Sequence, residues 1–305
     1  MKIETVAFSG IGAVGAGYAR LAWRAVGVRS FAVVRSLQSY RENPVSINGE
    51  RLQIELREST QVTEAADLLI IAVKWHALPD VLEEVAPCVG PNTIILSLLN
   101  GISSEAFIAH RFPQAYILPA FGSGIDANRM GRHVTMNRIG RIVLGEYGGR
   151  LDTPQLKAVC AFFEHARIPY EVTSDITREL WWKLMVNVGM NQVSAVMGYN
   201  YGEFQADPSA MDRMHRAQRE VIAVANAMGI AMSERDIHVW DAQLKTLCCE
   251  GFSSTLQDVR AKRKTEVELY GGEICRLGRK FGVPTPENNR LYAQIREMEN
   301  AYSRQ

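Results

Sequence analysis

The sequence predicts an α/β fold: a parallel sheet covered by helices on both faces in the first half, followed by an all-helical second half. Three observations lead there. Short apolar runs alternate with helical stretches down to Tyr170–Val172. From Asp175 onward the texture changes to long helical periods with very few strand-like runs. A chain of 305 residues also exceeds what one hydrophobic core usually holds. The expected division is residues 1–172 and 173–305.

Strands are expected at Thr5–Phe8, Phe31–Val34, Leu68–Val73, Thr93–Leu98, Ile117–Ala120, Arg141–Leu144 and Tyr170–Val172. Between the second and third, Ile47-Asn48-Gly49-Glu50 carries the Asn-Gly pair of a tight hairpin turn. In the second half, helices are read at 175–198, 209–228, 233–248, 254–281 and 286–302, with Gly229, Gly282 and Pro284 as stop signals.

Composition excludes several classes of function. With 47% hydrophobic and 22% charged residues the chain is an ordinary globular one. A net charge of +1 leaves no electrostatic footprint for nucleic acid or a membrane surface, so any anion site must be local and the expected partner is a small molecule. No stretch of about 18 uninterrupted apolar residues occurs, and Met1-Lys2-Ile3-Glu4-Thr5-Val6 lacks the pattern of a cleaved leader. The expectation is a cytoplasmic protein. Cys88, Cys160, Cys248, Cys249 and Cys275 have neither CxxC spacing nor a companion histidine cluster, which argues against a disulfide scaffold and against a metal site.

Gly10-Ile11-Gly12-Ala13-Val14-Gly15 follows the first strand and opens a helical stretch through Leu21 and Trp23. That context makes it a dinucleotide-binding fingerprint of the Rossmann type. Gly10 permits the turn, Gly12 lets backbone N–H groups approach a pyrophosphate, and Gly15 lets the helix pack closely on the strand. The second strand should end beside the adenosine ribose, where an acidic residue would bind a 2′-hydroxyl. Here it ends in Arg35-Ser36. A guanidinium suits a 2′-phosphate, so the residues favour NADPH/NADP+ over NAD, against the plainer reading of a surface arginine.

Within Trp181 to Asn191, Lys183, Asn187 and Asn191 fall at i, i+4 and i+8, one cation and two amides on one helix face among apolar neighbours. Such a stripe either lines a pocket or is a satisfied structural hydrogen-bond row. Ser254 and Gln257 have capping-box spacing, so Ser254 is either a helix cap or an anion contact. Glu266 lies three turns further along the expected helix, and periodicity alone reads it as solvated.

In these residues the chain resembles the ketopantoate reductase family. The matching blocks are Gly10 to Gly15, Ala72-Val73-Lys74, Leu99-Asn100-Gly101, Trp182-Lys183-Leu184 with Asn187 and Asn191, Ser253-Ser254 to Gln257-Asp258, and Lys264-Thr265-Glu266. Their order and spacing match across both halves. The resemblance implies a Rossmann domain followed by a helical domain of the 6-phosphogluconate dehydrogenase C-terminal type, and NADPH-dependent reduction of a 2-keto acid. It implies Lys183 as general acid and Glu266 as the group that binds a substrate hydroxyl and steadies the lysine, overturning the solvated reading. It implies Asn187, Asn191 and Ser254 as substrate-binding groups and Asn100 beside the nicotinamide and the lysine. Lys74 would lie near the nucleotide phosphates, Arg35 at the 2′-phosphate, and Glu220 in a supporting position.

The chain departs from the family pattern twice. Gly251-Phe252-Ser253-Ser254 lacks an asparagine that many members carry, and Glu266-Val267-Glu268-Leu269-Tyr270-Gly271-Gly272 stands where members commonly read Glu-Ile-Asp-Tyr-x-Asn-Gly. The glycine pair, costly in a helix, suggests close packing or a kink. Three readings remain open from sequence: a ketopantoate reductase, a reductase of another bulky 2-keto acid, and a non-catalytic NADPH-binding sensor. An apolar helical half, in a chain with five tryptophans, could also support a homodimer.

Overall fold

The strands of the first half are buried on both faces, and their sequences show why. Thr5-Val6-Ala7-Phe8-Ser9 is buried at every position, as are Leu68–Ile71 and Ile94–Ser97. Continuous apolar runs of this kind suit a parallel sheet with helices on each side. In the computed structural model, which describes residues 1–302, alternate residues feed two separate cores. Val6, Phe8, Leu68, Ile70, Ile94 and Leu96 belong to one core, and Ala7, Leu69, Ile71 and Ile95 to the other.

In chain order the first half contains β1 (Thr5–Ser9), α1 (Gly15–Trp23), β2 (Arg29–Val33), α2 (Leu37–Glu42), β3 (Ser46–Ile47), β4 (Glu50–Arg51) and β5 (Glu55–Arg57). It continues with β6 (Leu68–Ile71), α3 (Leu78–Val85), β7 (Ile94–Ser97), α4 (Ser104–Arg111), β8 (Tyr116–Ile117) and β9 (Ala120–Ser123). It ends with β10 (Asp126–Met130), β11 (His133–Arg138), β12 (Arg141–Leu144), α5 (Pro154–Ala166) and β13 (Tyr170–Val172). The main sheet has the order β5-β2-β1-β6-β7-β8, all parallel. Counting only its own strands, that is 3-2-1-4-5-6, the Rossmann order. The order reverses between β1 and β6, so the loops after these two strands flank the switch point where such sheets bind ligands.

Two smaller sheets accompany it, of order β10-β11-β3-β4 and β13-β12-β9. The Asn-Gly hairpin forms between β3 and β4, with Asn48 and Gly49 at φ 51° and 85° as a tight two-residue turn requires. The strand expected over Ile117–Ala120 is instead two. Leu118-Pro119 interrupts it, and the proline, with no N–H to give a ladder, lies where the chain passes from β8 in the main sheet to β9 in the three-stranded one.

The second half contains α6 (Ile176–Val186), a π-helical turn (Asn187–Asn191), α7 (Gln192–Met197), α8 (Tyr201–Ala206), α9 (Pro208–Ala227), α10 (Glu234–Leu244), α11 (Ser254–Arg260), α12 (Gly271–Phe281) and α13 (Pro286–Tyr302). The helix expected over 254–281 is broken. After Arg260, Lys262 takes a left-handed φ of 51° while the Arg263 N–H bonds back to the Asp258 carbonyl at 2.9 Å, closing α11. The linking segment is pinned by Glu299, whose carboxylate accepts from the Thr265 N–H at 2.7 Å and hydroxyl at 2.6 Å. Glu266 therefore leaves the helix and stands at the start of a single 3-10 turn, Val267–Leu269.

The chain divides into two compact units, Met1–Leu99 with Ser103–Ile176, and Asn100–Ile102 with Thr177 onward. The short excursion of Asn100–Ile102 into the second unit bears directly on the site.

Candidate active site

Lys183, Asn187 and Asn191 come from the run expected as one helix, but a π turn replaces regular α geometry between Val186 and Gln192. Such turns re-aim side chains and are frequent at functional sites. Asn187 and Asn191 are buried, and the Asn191 Nδ2 donates to the Asn187 Oδ1 at 3.3 Å. Asn187 in turn donates to the Asn100 Oδ1 at 3.4 Å, and the Asn100 Nδ2 donates to the Glu266 Oε2 at 3.0 Å. At the other end, Asn191 also donates to the Ser254 Oγ at 3.4 Å.

The result is one chain, Ser254–Asn191–Asn187–Asn100–Glu266, built from four separate segments of the second unit. Its direction follows from Glu266. A carboxylate only accepts, so Asn100 must present its nitrogen there and its oxygen to Asn187, and the same orientation passes on to Asn191. Three of the four links exceed 3.2 Å and are weak, so a ligand's polar atoms can take their place.

Ser254 is not the helix cap. Ser253 is: it is buried, its hydroxyl accepts from the Leu256 N–H at 3.2 Å, and it bonds the Ser194 hydroxyl. One residue later, Ser254 is exposed and its hydroxyl is free of capping duty. Lys183 is partly buried one turn before Asn187, and its ammonium makes no hydrogen bond or ion pair among the described residues. Desolvation pushes its pKa below the ordinary lysine value.

The structure finds a packing reason for both departures from the family pattern. A methyl group on Gly271 would lie 2.4 Å from the Gln192 Oε1, which accepts the Gly271 N–H at 3.1 Å. A methyl group on Gly251 would lie 2.9 Å from the Tyr201 ring. Glu220 is also a structural group: its carboxylate accepts the Glu287 and Asn288 N–H groups and the Asn288 side chain at 2.7, 2.9 and 2.7 Å, capping α13.

In the first unit, the Gly10–Gly15 turn joins β1 to α1 at the switch point. Gly10 has φ 88°, and a Cβ there would lie 2.4 Å from the Ala72 carbonyl; a Cβ on Gly15 would lie 1.9 Å from the Gly10 carbonyl. Among the described residues no side chain caps α1, whose cap position is Val14; the Ala16 N–H turns inward to the Gly12 carbonyl at 3.0 Å, and the end of the helix carries no side-chain oxygen that would compete with a ligand. Ile11 is buried and Ala13 partly so. Lys74 follows β6 in an extended conformation at the start of a 3-10 turn. These features fit a dinucleotide pyrophosphate.

Arg35 is exposed just past β2, and its guanidinium pairs with Glu84 and, at 3.2 Å, with Asp80, both from α3. Exposed pairs are worth little, so a phosphate can displace them.

Two residues were not legible from sequence. Arg129 on β10 places its guanidinium 3.2 Å from where a Cβ on Gly12 would be. Nothing local marks it, because the pairing of β10 with β11 decides where it points. Tyr270 is wholly buried beside Asn191 and Ser254. Its only signal was its place in the segment that begins with Glu266.

Two family models match the chain: ketopantoate reductase PanE/ApbA over residues 6–149, and its C-terminal counterpart over residues 175–299. The chain belongs to the ketopantoate reductase family. Among curated relatives, a 2-dehydropantoate 2-reductase of Aquifex aeolicus is 28% identical over 300 residues, 95% of each chain. Among solved structures, a PanE/ApbA family ketopantoate reductase from Ralstonia eutropha superposes with a TM-score of 0.86 at 24% identity, covering 98% of this chain and 99% of that one. A D-mandelate dehydrogenase solved with NADH and anilino(oxo)acetate gives 0.87 at 22% identity, with the same coverage. Members of the ketopantoate reductase family thus share this two-part fold, and the family is one of oxidoreductases.

Proposed function

We propose that this chain is an NADPH-dependent 2-dehydropantoate 2-reductase that reduces ketopantoate to pantoate, a step toward pantothenate and coenzyme A. The observation that carries the proposal is the directed amide chain ending on Glu266, two of whose members, Asn187 and Asn191, share a helical run with a desolvated lysine. The name of the Aquifex relative supports the same substrate.

On this reading residues 1–172 hold the cofactor and residues 173–305 the substrate. Gly10, Ile11, Gly12, Ala13, Val14 and Gly15 receive the pyrophosphate, Lys74 lies near the phosphates, and Arg35 exchanges Asp80 and Glu84 for the 2′-phosphate. When bound, the reduced nicotinamide supplies the hydride to the C2 carbonyl carbon. Lys183 polarises the carbonyl oxygen and then protonates the alkoxide that forms there. Its lowered pKa makes the ammonium a stronger acid than an exposed lysine. Glu266 accepts the substrate hydroxyl and steadies Lys183, while Asn187, Asn191, Asn100 and Ser254 orient the acid. Gly251 and Gly271, the departures that would point to another bulky 2-keto acid, have packing roles against Tyr201 and Gln192.

The test is NADPH oxidation by purified protein with ketopantoate, beside Lys183→Ala, NADH and a panel of other 2-keto acids. Turnover should prefer NADPH and fall by about 100-fold or more in the variant. Because the acid form of Lys183 is required, kcat should decline as pH rises through its lowered pKa, at a lower pH than an ordinary lysine would give. Turnover of a different panel acid alone would reject the substrate; NADPH binding with no turnover on any acid would indicate a sensor.

A further inference from the structure

Among the described residues the hydroxyl of Tyr270 has no hydrogen-bond partner, although the residue is completely buried. Leaving such a group unpaired is unfavourable, so its surroundings require an explanation. The Asn191 amide and the Ser254 hydroxyl lie beside it, with the Glu266 and Asp258 carboxylates further off. Both lie close enough to favour its ionised form, but neither meets full hydrogen-bond geometry with it.

The position of the ring is fixed. Tyr270 joins the 3-10 turn to α12, its N–H bonding the Val267 carbonyl at 3.1 Å and its carbonyl accepting from the Ile274 N–H at 3.0 Å. The next residue, Gly271, is held by Gln192, which also donates to the Val188 carbonyl at 2.8 Å and to Asn288 at 3.1 Å. The phenol is thus held beside Asn191 and Ser254, at one end of the amide chain.

We propose that Tyr270 is a substrate-binding residue: its hydroxyl, with the Asn191 amide and the Ser254 hydroxyl, forms a three-donor socket for the carboxylate of the 2-keto acid. This rests on the reading of the chain as a 2-keto acid reductase. Each of the three groups can donate, and none is a cation. Asn191 reaches Ser254 by a 3.4 Å link that a carboxylate oxygen replaces with a stronger, charge-assisted one. Burial, together with the charge of Glu266, pushes the phenol pKa well above its ordinary value, so it remains a neutral donor throughout the working pH range.

The test compares wild type with Tyr270→Phe in the presence of NADP(H), using ketopantoate and other 2-keto acids, each as the acid and as its neutral primary amide. KM is measured where turnover occurs and Kd by calorimetry. The variant should raise KM or Kd for the acids by about tenfold and leave the amides within about twofold. Its melting temperature should equal or exceed that of wild type, because only an unpaired hydroxyl is removed. Unchanged values for the acids, an equal loss for acids and amides, or a lower melting temperature would each overturn the proposal. Wild type that ignores ketopantoate but reduces another panel acid refutes the substrate reading alone, and Tyr270 is then judged on that acid. Wild type that binds no acid overturns both.

Discussion

Glu105 is a buried acid that the proposed chemistry does not use. It sits in the first turn of α4 with 4% of its surface exposed, accepts from the Ser104 hydroxyl at 3.1 Å, and has its pKa pushed up to about 7, chiefly by desolvation. Between the ordinary carboxyl value of 4.5 and about 7, the folded protein holds a proton that the unfolded chain has released. Stability therefore declines as pH rises through that window and levels off above it. Glu105→Gln removes the titration while keeping the shape. It should melt higher than wild type at pH 8, by up to about 3 kcal/mol of stability, with the difference shrinking toward pH 4.5. Melting curves at pH 5, 6.5 and 8 check this, and parallel profiles for the two proteins would contradict it.

At the scale of an element, the π turn between α6 and α7 is what the candidate site depends on. Asn187 and Asn191 are its first and last residues, and Gly189 is its centre. A methyl group on Gly189 would lie 2.6 Å from the Gln218 Cγ and 2.9 Å from the Met214 Cγ of α9, both buried. Only glycine lets α9 approach so closely. Gly189→Ala should destabilise the protein by about 1–3 kcal/mol, the usual range for overpacking a core. It should also lower kcat/KM for the keto acid, because Asn187 and Asn191 shift with the turn. NADPH affinity should be unaffected, since no cofactor contact is assigned to this element. Denaturant melts with steady-state kinetics separate these effects.

At the scale of the whole molecule, the proposed roles are distributed between two units, each with its own fold. Ligand linkage can therefore be tested on the intact chain. NADPH at 100 times its Kd should add about 2.7 kcal/mol to stability, while NADH at the same concentration should add less. Replacing Glu84 by Gln frees Arg35 from one of its two carboxylates and should tighten NADPH relative to NADH. Calorimetric melts of both proteins with each nucleotide give the comparison. A Glu84→Gln variant with an unaltered NADPH-to-NADH ratio would remove Arg35 from the 2′-phosphate reading.

The sequence by itself determined the sheet and the glycine turn. Val6, Leu69 and Ile95 lie in apolar runs that suit only a sheet buried on both faces, and Gly10 and Gly15 stand where no side chain fits between β1 and α1. Asn48-Gly49 likewise fixed its hairpin, because its turn needs two positive φ angles. These are local demands, readable within a few residues. The tertiary structure alone decided that the helix expected over 254–281 breaks, since Lys262 turns left-handed and Glu299, 34 residues on, captures Thr265. It also decided that Ser253, not Ser254, caps α11. Finally, it joined Asn100 to Glu266 across 166 residues and set Tyr270 beside Asn191. A hydrogen bond between such distant residues leaves no periodicity in the chain, because its energy depends on geometry that exists only after both segments have folded.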